Sequence, residues 1–236
     1  ASAARRAAAA AAGLPPSAGR PAEGCVWYAD ESVLGPLVAR VAPLLPPTVA
    51  ARGVDDAKMG GGRLAGINAR WRCYRYTPGA VYRAHIDGAW PGSGLDADGR
   101  YLFDAYGGDR YSRLTFLIYL NDSSAARAGG GGAGGDDGDN DVAAAADAAA
   151  VGDFDGGTTT FYSASPAQAA ARGALLDAHG VVPRAGNILV FPHGDARGAL
   201  VHEGAPVTRG AKYVVRTDVL YTRPARDASG RRTGGM

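Results

Sequence analysis

The 236-residue chain reads as a mainly β (α+β) domain, a β-sandwich or jelly roll with supporting helices on its N-terminal side. Three observations predict that class. The length suits one ordinary domain with a sizeable core. A single stretch of helical period stands near the start. From residue 70 onward the period changes to short β-rich segments, each bounded by Gly or Pro.

The elements follow in order. Residues 1–23 are rich in Ala and Pro and read as a disordered leader. ASAARRAAAAAAG has two arginines and no acid, so an organelle-import segment is the alternative reading. Between that leader and a polar tail the sequence reads as a single ordered domain over 24–224, with its core at about 70–222. Residues 31–46 carry Val33, Leu34, Leu37, Val38, Val41, Leu44 and Leu45 at the i, i+3, i+4 recurrence of an amphipathic helix. Pro46-Pro47 ends it. Residues 51–67 read as a Gly-rich loop.

RWRCYRYTPGAVYRAHID (70–87) alternates aromatic and polar residues around a Thr77-Pro78-Gly79 turn, which predicts two strand segments. YSRLTFLIYLN (111–121) is apolar enough for a buried strand. Residues 123–153 are low-complexity and read as a flexible insertion in which VAAAADAAA could form a marginal helix. Order returns at GGTTTFYS (156–163), GNILVFP (186–192), LVHEGAPV (200–207) and AKYVVRTDVLY (211–221). Residues 225–236 read as a disordered tail.

Composition excludes several classes. Twenty-five basic residues nearly balance 23 acidic ones, so nothing calls for a nucleic-acid or membrane partner. No run of 18 apolar residues predicts a membrane span. Two cysteines, Cys25 and Cys73, fit a reduced, cytoplasmic setting better than a disulfide framework or a zinc site. The Gly-Gly repeats lack a phosphate-loop context, and Ser163 and Ser165 lack a GxSxG elbow.

The informative chemistry is His85-Ile86-Asp87. On a strand, residues i and i+2 share a face, so an imidazole and a carboxylate can converge on one metal. A second histidine would complete a facial triad with open positions for a co-substrate and oxygen. His179, His193 and His202 are available. His202 is favoured because Lys212 follows it by ten residues across a Pro/Gly turn, a spacing that returns an antiparallel strand to the same interior. His193 reads as a loop histidine near the site, and Arg216, on the same strand face as Lys212, stays a rival cation. Arg83 and Trp90 are the better substrate-contact candidates among the residues flanking the motif.

In order, RYTPGAVYRAHID (75–87), RLTFLIYLN (113–121), GGTTTF (156–161), GNILVF (186–191) and HEGAPVTRGAK (202–212) resemble the prolyl 4-hydroxylase-like branch of the 2-oxoglutarate/Fe(II) oxygenases. The resemblance implies a double-stranded β-helix (jelly roll) with His85, Asp87 and His202 as the catalytic iron ligands. It further implies that Lys212, Tyr76 and Thr115 bind the far carboxylate of 2-oxoglutarate, with Arg216 as the alternative clamp. Fe(II), 2-oxoglutarate and O2 are then required, with room for ascorbate as a supporting reductant. The implied reaction is hydroxylation of a C–H bond, of a protein side chain such as proline, with 2-oxoglutarate decarboxylated to succinate. One departure matters. KYVVRTD places Tyr213 and Asp218 where that branch often carries tryptophans, which keeps a small-molecule substrate open. A jelly-roll binding module without catalysis is the alternative of another class.

Overall fold

The computed structural model describes residues 21–50, 62–128, 153–164 and 176–223. The leader through residue 20, most of the insertion and the tail from residue 224 lie outside the described residues, and so does the VAAAADAAA segment.

The chain opens with β1 (Glu23–Tyr28), helix α1 (Glu31–Val41), a 3-10 turn (Ala42–Leu44), β2 (Thr48–Val49), β3 (Gly62–Ile67) and β4 (Arg70–Tyr76). It continues through β5 (Tyr82–His85), β6 (Gly94–Leu95), β7 (Tyr101–Leu102), β8 (Arg110–Tyr119) and the short helix α2 (Ser124–Ala128). The second half holds β9 (Phe154–Gly156), β10 (Thr159–Ala164), β11 (Leu176–Val181), β12 (Ile188–Pro192), β13 (Val201–Gly204), β14 (Val207–Gly210) and β15 (Lys212–Thr222).

Two antiparallel sheets build the jelly roll. The larger is organised on β15, which has β8 along one edge and β4 then β3 along the other; β1, β2 and β12 extend it. The smaller runs β11-β10-β13-β5. β15 is buried along nearly its whole length because both of its faces are covered.

Alternation along β15 separates two environments. Val215, Val219 and Tyr221 point to an apolar core shared with Trp71, Leu114 and Phe116 and capped by Leu34 and Val41 of α1. Each such side chain contributes about 1.5–3 kcal/mol on burial. Lys212, Val214, Arg216 and Asp218 alternate with them and face the other way. One face of this sheet builds stability while the other carries chemistry.

Helix α1 starts where the sequence places it. Asp30 caps it, its side chain accepting from the Ser32 N–H at 2.9 Å. Two expectations need correction. Among the described residues, one α-helix and a 3-10 turn, not several helices, support the N-terminal side. Residues 62–67, read as loop, form β3 beside β15. Glycine hid that strand: a Cβ at Gly62 would run into the Thr222 carbonyl, so close backbone approach requires the residue that lowers strand propensity. β1 and β11 also escaped the sequence reading, the first because all its residues are exposed and show no buried alternation. The leader reading ends slightly late, since β1 begins at Glu23. The insertion begins with α2, and its two ends are joined by the Asp153 N–H donating to the Asp122 carbonyl at 2.9 Å. Among the described residues no helix is long and apolar enough to cross a membrane.

Candidate active site

The Pro78-Gly79 turn sends the chain from the larger sheet into β5 of the smaller, which ends on His85. β13 pairs with β5 so that His202 lies directly opposite His85. Asp87 follows β5 by two residues. The three side chains offer ligand atoms all within 4.8 Å of one another, and all three are buried. His85 Nε2 lies 3.0 Å from Asp87 Oδ1, and His202 Nε2 lies 3.6 Å from Asp87 Oδ2. The two imidazole centroids are 4.5 Å apart. The sequence-predicted triad is therefore assembled.

Each imidazole is held in the tautomer that a metal needs. A carbonyl only accepts, so His85 Nδ1 donates to the Arg83 carbonyl at 2.6 Å and leaves the Nε2 lone pair facing the centre. His202 Nδ1 faces the Leu200 carbonyl more loosely, at 3.4 Å. Burial lowers the His202 pKa to about 4 despite the attraction of Asp87, so its ring is neutral near pH 7. Burial would raise Asp87, but the Arg216 guanidinium outweighs it and holds the carboxyl well below the usual carboxylate range. Two imidazoles and one ionised carboxylate fit a divalent first-row metal such as iron.

Asp87 is held from three sides. Arg216 Nη1 lies 3.0 Å from Oδ1, and the Thr115 hydroxyl donates to Oδ2 at 2.6 Å. The Gly194 N–H donates to its backbone carbonyl at 2.9 Å. Thr115 Oγ1 is also 2.8 Å from His193 Nδ1, and His193 Nε2 is 2.9 Å from Ser112 Oγ. His193 is thus no ligand but the fully buried support of Thr115. The FPHGD segment, which contributes both His193 and Gly194, was the signal available for this supporting layer.

Lys212 stands at the other end of the same face, across from Tyr76 on β4. It is only 4 % exposed, and its ammonium donates to the Gly157 carbonyl at 2.5 Å. Its Nζ lies 5.5 Å from the Tyr76 ring centroid and 5.3 Å from that of Tyr119. Among the described residues no carboxylate pairs with it, and burial alone lowers its pKa to about 7. Burial also pushes the Tyr76 phenol well up and the Tyr119 phenol to about 12. Beside this ammonium, the Tyr119 hydroxyl donates to Thr159 Oγ1 at 2.8 Å. Sequence reading missed both residues and set Thr115 there instead; Thr115 is committed to Asp87 at the opposite end. Arg216, the rival clamp, is likewise engaged, by Asp87 and, at 3.4 Å, by Asp218.

Both ends open into one cleft of about 450 Å³, counting its part open to solvent, between the two sheets. Its walls include His85, Asp87, His202, Thr159, Lys212 and Arg216. Gly157, at φ +67°, lets the backbone approach Lys212, where an added Cβ would meet Lys212 Cδ at 3.1 Å.

A jelly roll with a buried His-Asp-His centre and, in the same cleft, a lysine without a carboxylate partner among the described residues fits a metal-dependent oxygenase of the facial-triad type. The model of the 2OG-Fe(II) oxygenase superfamily matches residues 71–217, more than half of the chain, and the chain belongs to that superfamily. Its members use Fe(II), 2-oxoglutarate and O2. No curated protein matches the sequence. Among solved structures, a viral collagen prolyl hydroxylase from Paramecium Bursaria Chlorella virus-1, in complex with 2OG, is 15% identical with a TM-score of 0.43. That match covers 86% of this chain and 80% of the viral one. A Pseudomonas putida prolyl-4-hydroxylase is 19% identical with a TM-score of 0.40, covering 94% of this chain and 84% of its own. The family assignment rests on the matched residues 71–217, not on these low identities.

Proposed function

We propose that the chain hydroxylates a C–H bond of a protein side chain such as proline, with His85, Asp87 and His202 holding the iron. The observation that carries this reading is the Lys212 ammonium, buried without a carboxylate partner in the cleft that the three ligand side chains line. A buried cation of that kind is costly unless an anion completes it. The far carboxylate of 2-oxoglutarate supplies that anion, with Tyr76 beside it and Tyr119 and Thr159 within reach.

When bound, iron(II) with 2-oxoglutarate and O2 supplies the oxidation: the co-substrate loses carbon dioxide to give succinate, and one oxygen atom enters the substrate C–H bond. The chain's own residues do the rest. His85 and His202 present Nε2 lone pairs fixed by backbone carbonyls. Arg216 and Thr115 orient Asp87 and keep it ionised, so its two oxygens cannot swing away. Thr115 and Arg216 serve the centre by holding Asp87, while Lys212 orients the co-substrate. The aromatic walls Tyr74, Tyr82 and Phe191 narrow the cleft and exclude water.

The motif resemblance to the prolyl 4-hydroxylase-like branch supports a peptide substrate. A second reading, the same chemistry on a small molecule, is favoured by Asp218, which stands where that branch often carries a tryptophan and is buried against Arg216. The test is 2-oxoglutarate turnover coupled to a peptide and metabolite screen read by mass. Gain of one oxygen atom on a peptide side chain is the expected result; gain on a metabolite alone selects the second reading, and no iron-dependent succinate with any candidate overturns both.

A further inference from the structure

The inner face of β4 runs past the cleft. Tyr76 and Tyr74 line its Lys212 end, and Arg72 and Arg70 carry the same face into a second, shallow cavity of about 210 Å³, counting its part open to solvent. Trp90 forms the opposite wall. The guanidinium carbons of Arg72 and Arg70 lie 5.3 and 5.9 Å from its ring centroid. Phe103 meets Trp90 edge to face at 6.3 Å. The one carboxylate on these walls, Asp218, is already bonded to Arg216, whose other nitrogen holds Asp87.

The charge balance here is uneven. Arg70, Arg72 and Arg216 face two carboxylates, Asp87 and Asp218, and among the described residues neither Arg70 nor Arg72 makes an ion pair. Burial and the neighbouring Arg216 lower the pKa of Arg72 more than the attraction of Asp218 raises it. Stacking on an aromatic face leaves the edge of each guanidinium free to donate, which is the geometry that takes a planar carboxylate in a forked pair.

We propose that this cavity binds a carboxylate of the primary substrate, gripped by Arg72 and Arg70 against Trp90, one side-chain layer from the metal ligands. The inference rests on the oxygenase reading and names the chemistry of its substrate. The carboxylate belongs either to a small organic acid or to an acidic residue of a peptide. The shared Arg216–Asp218 wall fixes the anchored group beside the centre while the co-substrate occupies the Lys212 end.

The test uses the full chain loaded with manganese in place of iron and with 2-oxoglutarate, titrated calorimetrically with matched probes. One pair is N-acetylproline and its amide. The other is a blocked Ala-Pro-Glu-Ala peptide and its Gln counterpart. The expected result is that the acid of at least one pair binds about tenfold tighter than its neutral partner, the scale of one charge-assisted fork. Which pair responds identifies the source. Arg72→Gln removes the preference, and Arg72→Lys restores part of it if the charge matters, which separates lost recognition from a misfolded variant. Equal binding of acid and neutral partner in both pairs overturns the proposal, as does a preference that survives Arg72→Gln. If 2-oxoglutarate itself fails to bind the loaded wild type, the parent reading falls and takes this one with it.

Discussion

Lys212 and Arg216 lie four residues apart on one face of β15, yet they live under opposite electrostatics. Arg216 sits between two carboxylates, and their attraction outweighs its burial and pushes its pKa up. Lys212 has only the Gly157 carbonyl and two aromatic rings, and burial drags its pKa down. The first cation is completed by the protein; on the proposed function, the second is completed by the co-substrate. The contrast separates a paired buried cation, which serves structure, from one without a carboxylate partner, which is a candidate binding site.

The most drastic way to probe the paired end is Asp87→Ala. It removes one metal ligand and strands Arg216, so iron-dependent succinate formation is expected to vanish. Stability is expected to drop by about 3–5 kcal/mol, the usual cost of breaking a buried pair, in chemical denaturation. Turnover retained at the wild-type level would mean that the centre is elsewhere.

The two cations can be set directly against each other. Arg216→Met leaves Asp87 and Asp218 buried without their partner, and unfolding is expected to be easier by a similar 3–5 kcal/mol. Lys212→Met removes a desolvated charge that no acid balances, so melting stays level or rises while the KM for 2-oxoglutarate rises about 100-fold. If the two variants lose stability alike, the contrast between the ends is void.

pH sharpens the same contrast. The pKa of Lys212 is about 7, against 10.5 for an unperturbed lysine. Only the ammonium binds a carboxylate, so above about pH 7 the apparent affinity for 2-oxoglutarate should fall about tenfold per unit. Binding at pH 8 should then draw in close to one proton, read by calorimetry in buffers of different ionisation heat. For folding the sign is opposite. Between about 7 and 10.5 the unfolded chain holds more protons than the folded one, so this group makes stability rise with pH across that window.

The smallest expected effect is at Gly157→Ala. Its φ of +67° costs an L-residue roughly 1–2 kcal/mol, and the new Cβ presses on Lys212 Cδ and on Phe154. A several-fold rise in the KM for 2-oxoglutarate should accompany that loss, whereas iron affinity should stay put.

What the sequence made legible follows from how local each signal is. The His85/Asp87 pair needs only strand periodicity, so it was readable. α1 and the strands with apolar runs, β8 and β15 above all, were readable for the same reason. β3 was not, because its Gly62 serves a backbone contact with Thr222, more than 150 residues away in the chain. His202 and Lys212 were chosen on a one-hairpin spacing, whereas the structure sets them on β13 and β15 of different sheets, with β14 between, and both still line the one cleft. Thr115 was placed in the right cleft but at the wrong end, since β8 register against β15 sets it beside Asp218 rather than Lys212. His193 and Tyr119 act through partners that only the folded sheets bring near, and no spacing rule announces them.

The most direct test is an anaerobic titration of the Fe(II)-loaded protein with 2-oxoglutarate, followed by visible absorption. Wild type should develop a charge-transfer band that saturates, and Lys212→Met should reach the same band only at about 100-fold higher concentration. No band in wild type, or half-saturation unchanged in Lys212→Met, would contradict a cleft with iron at His85, Asp87 and His202 and a carboxylate on Lys212.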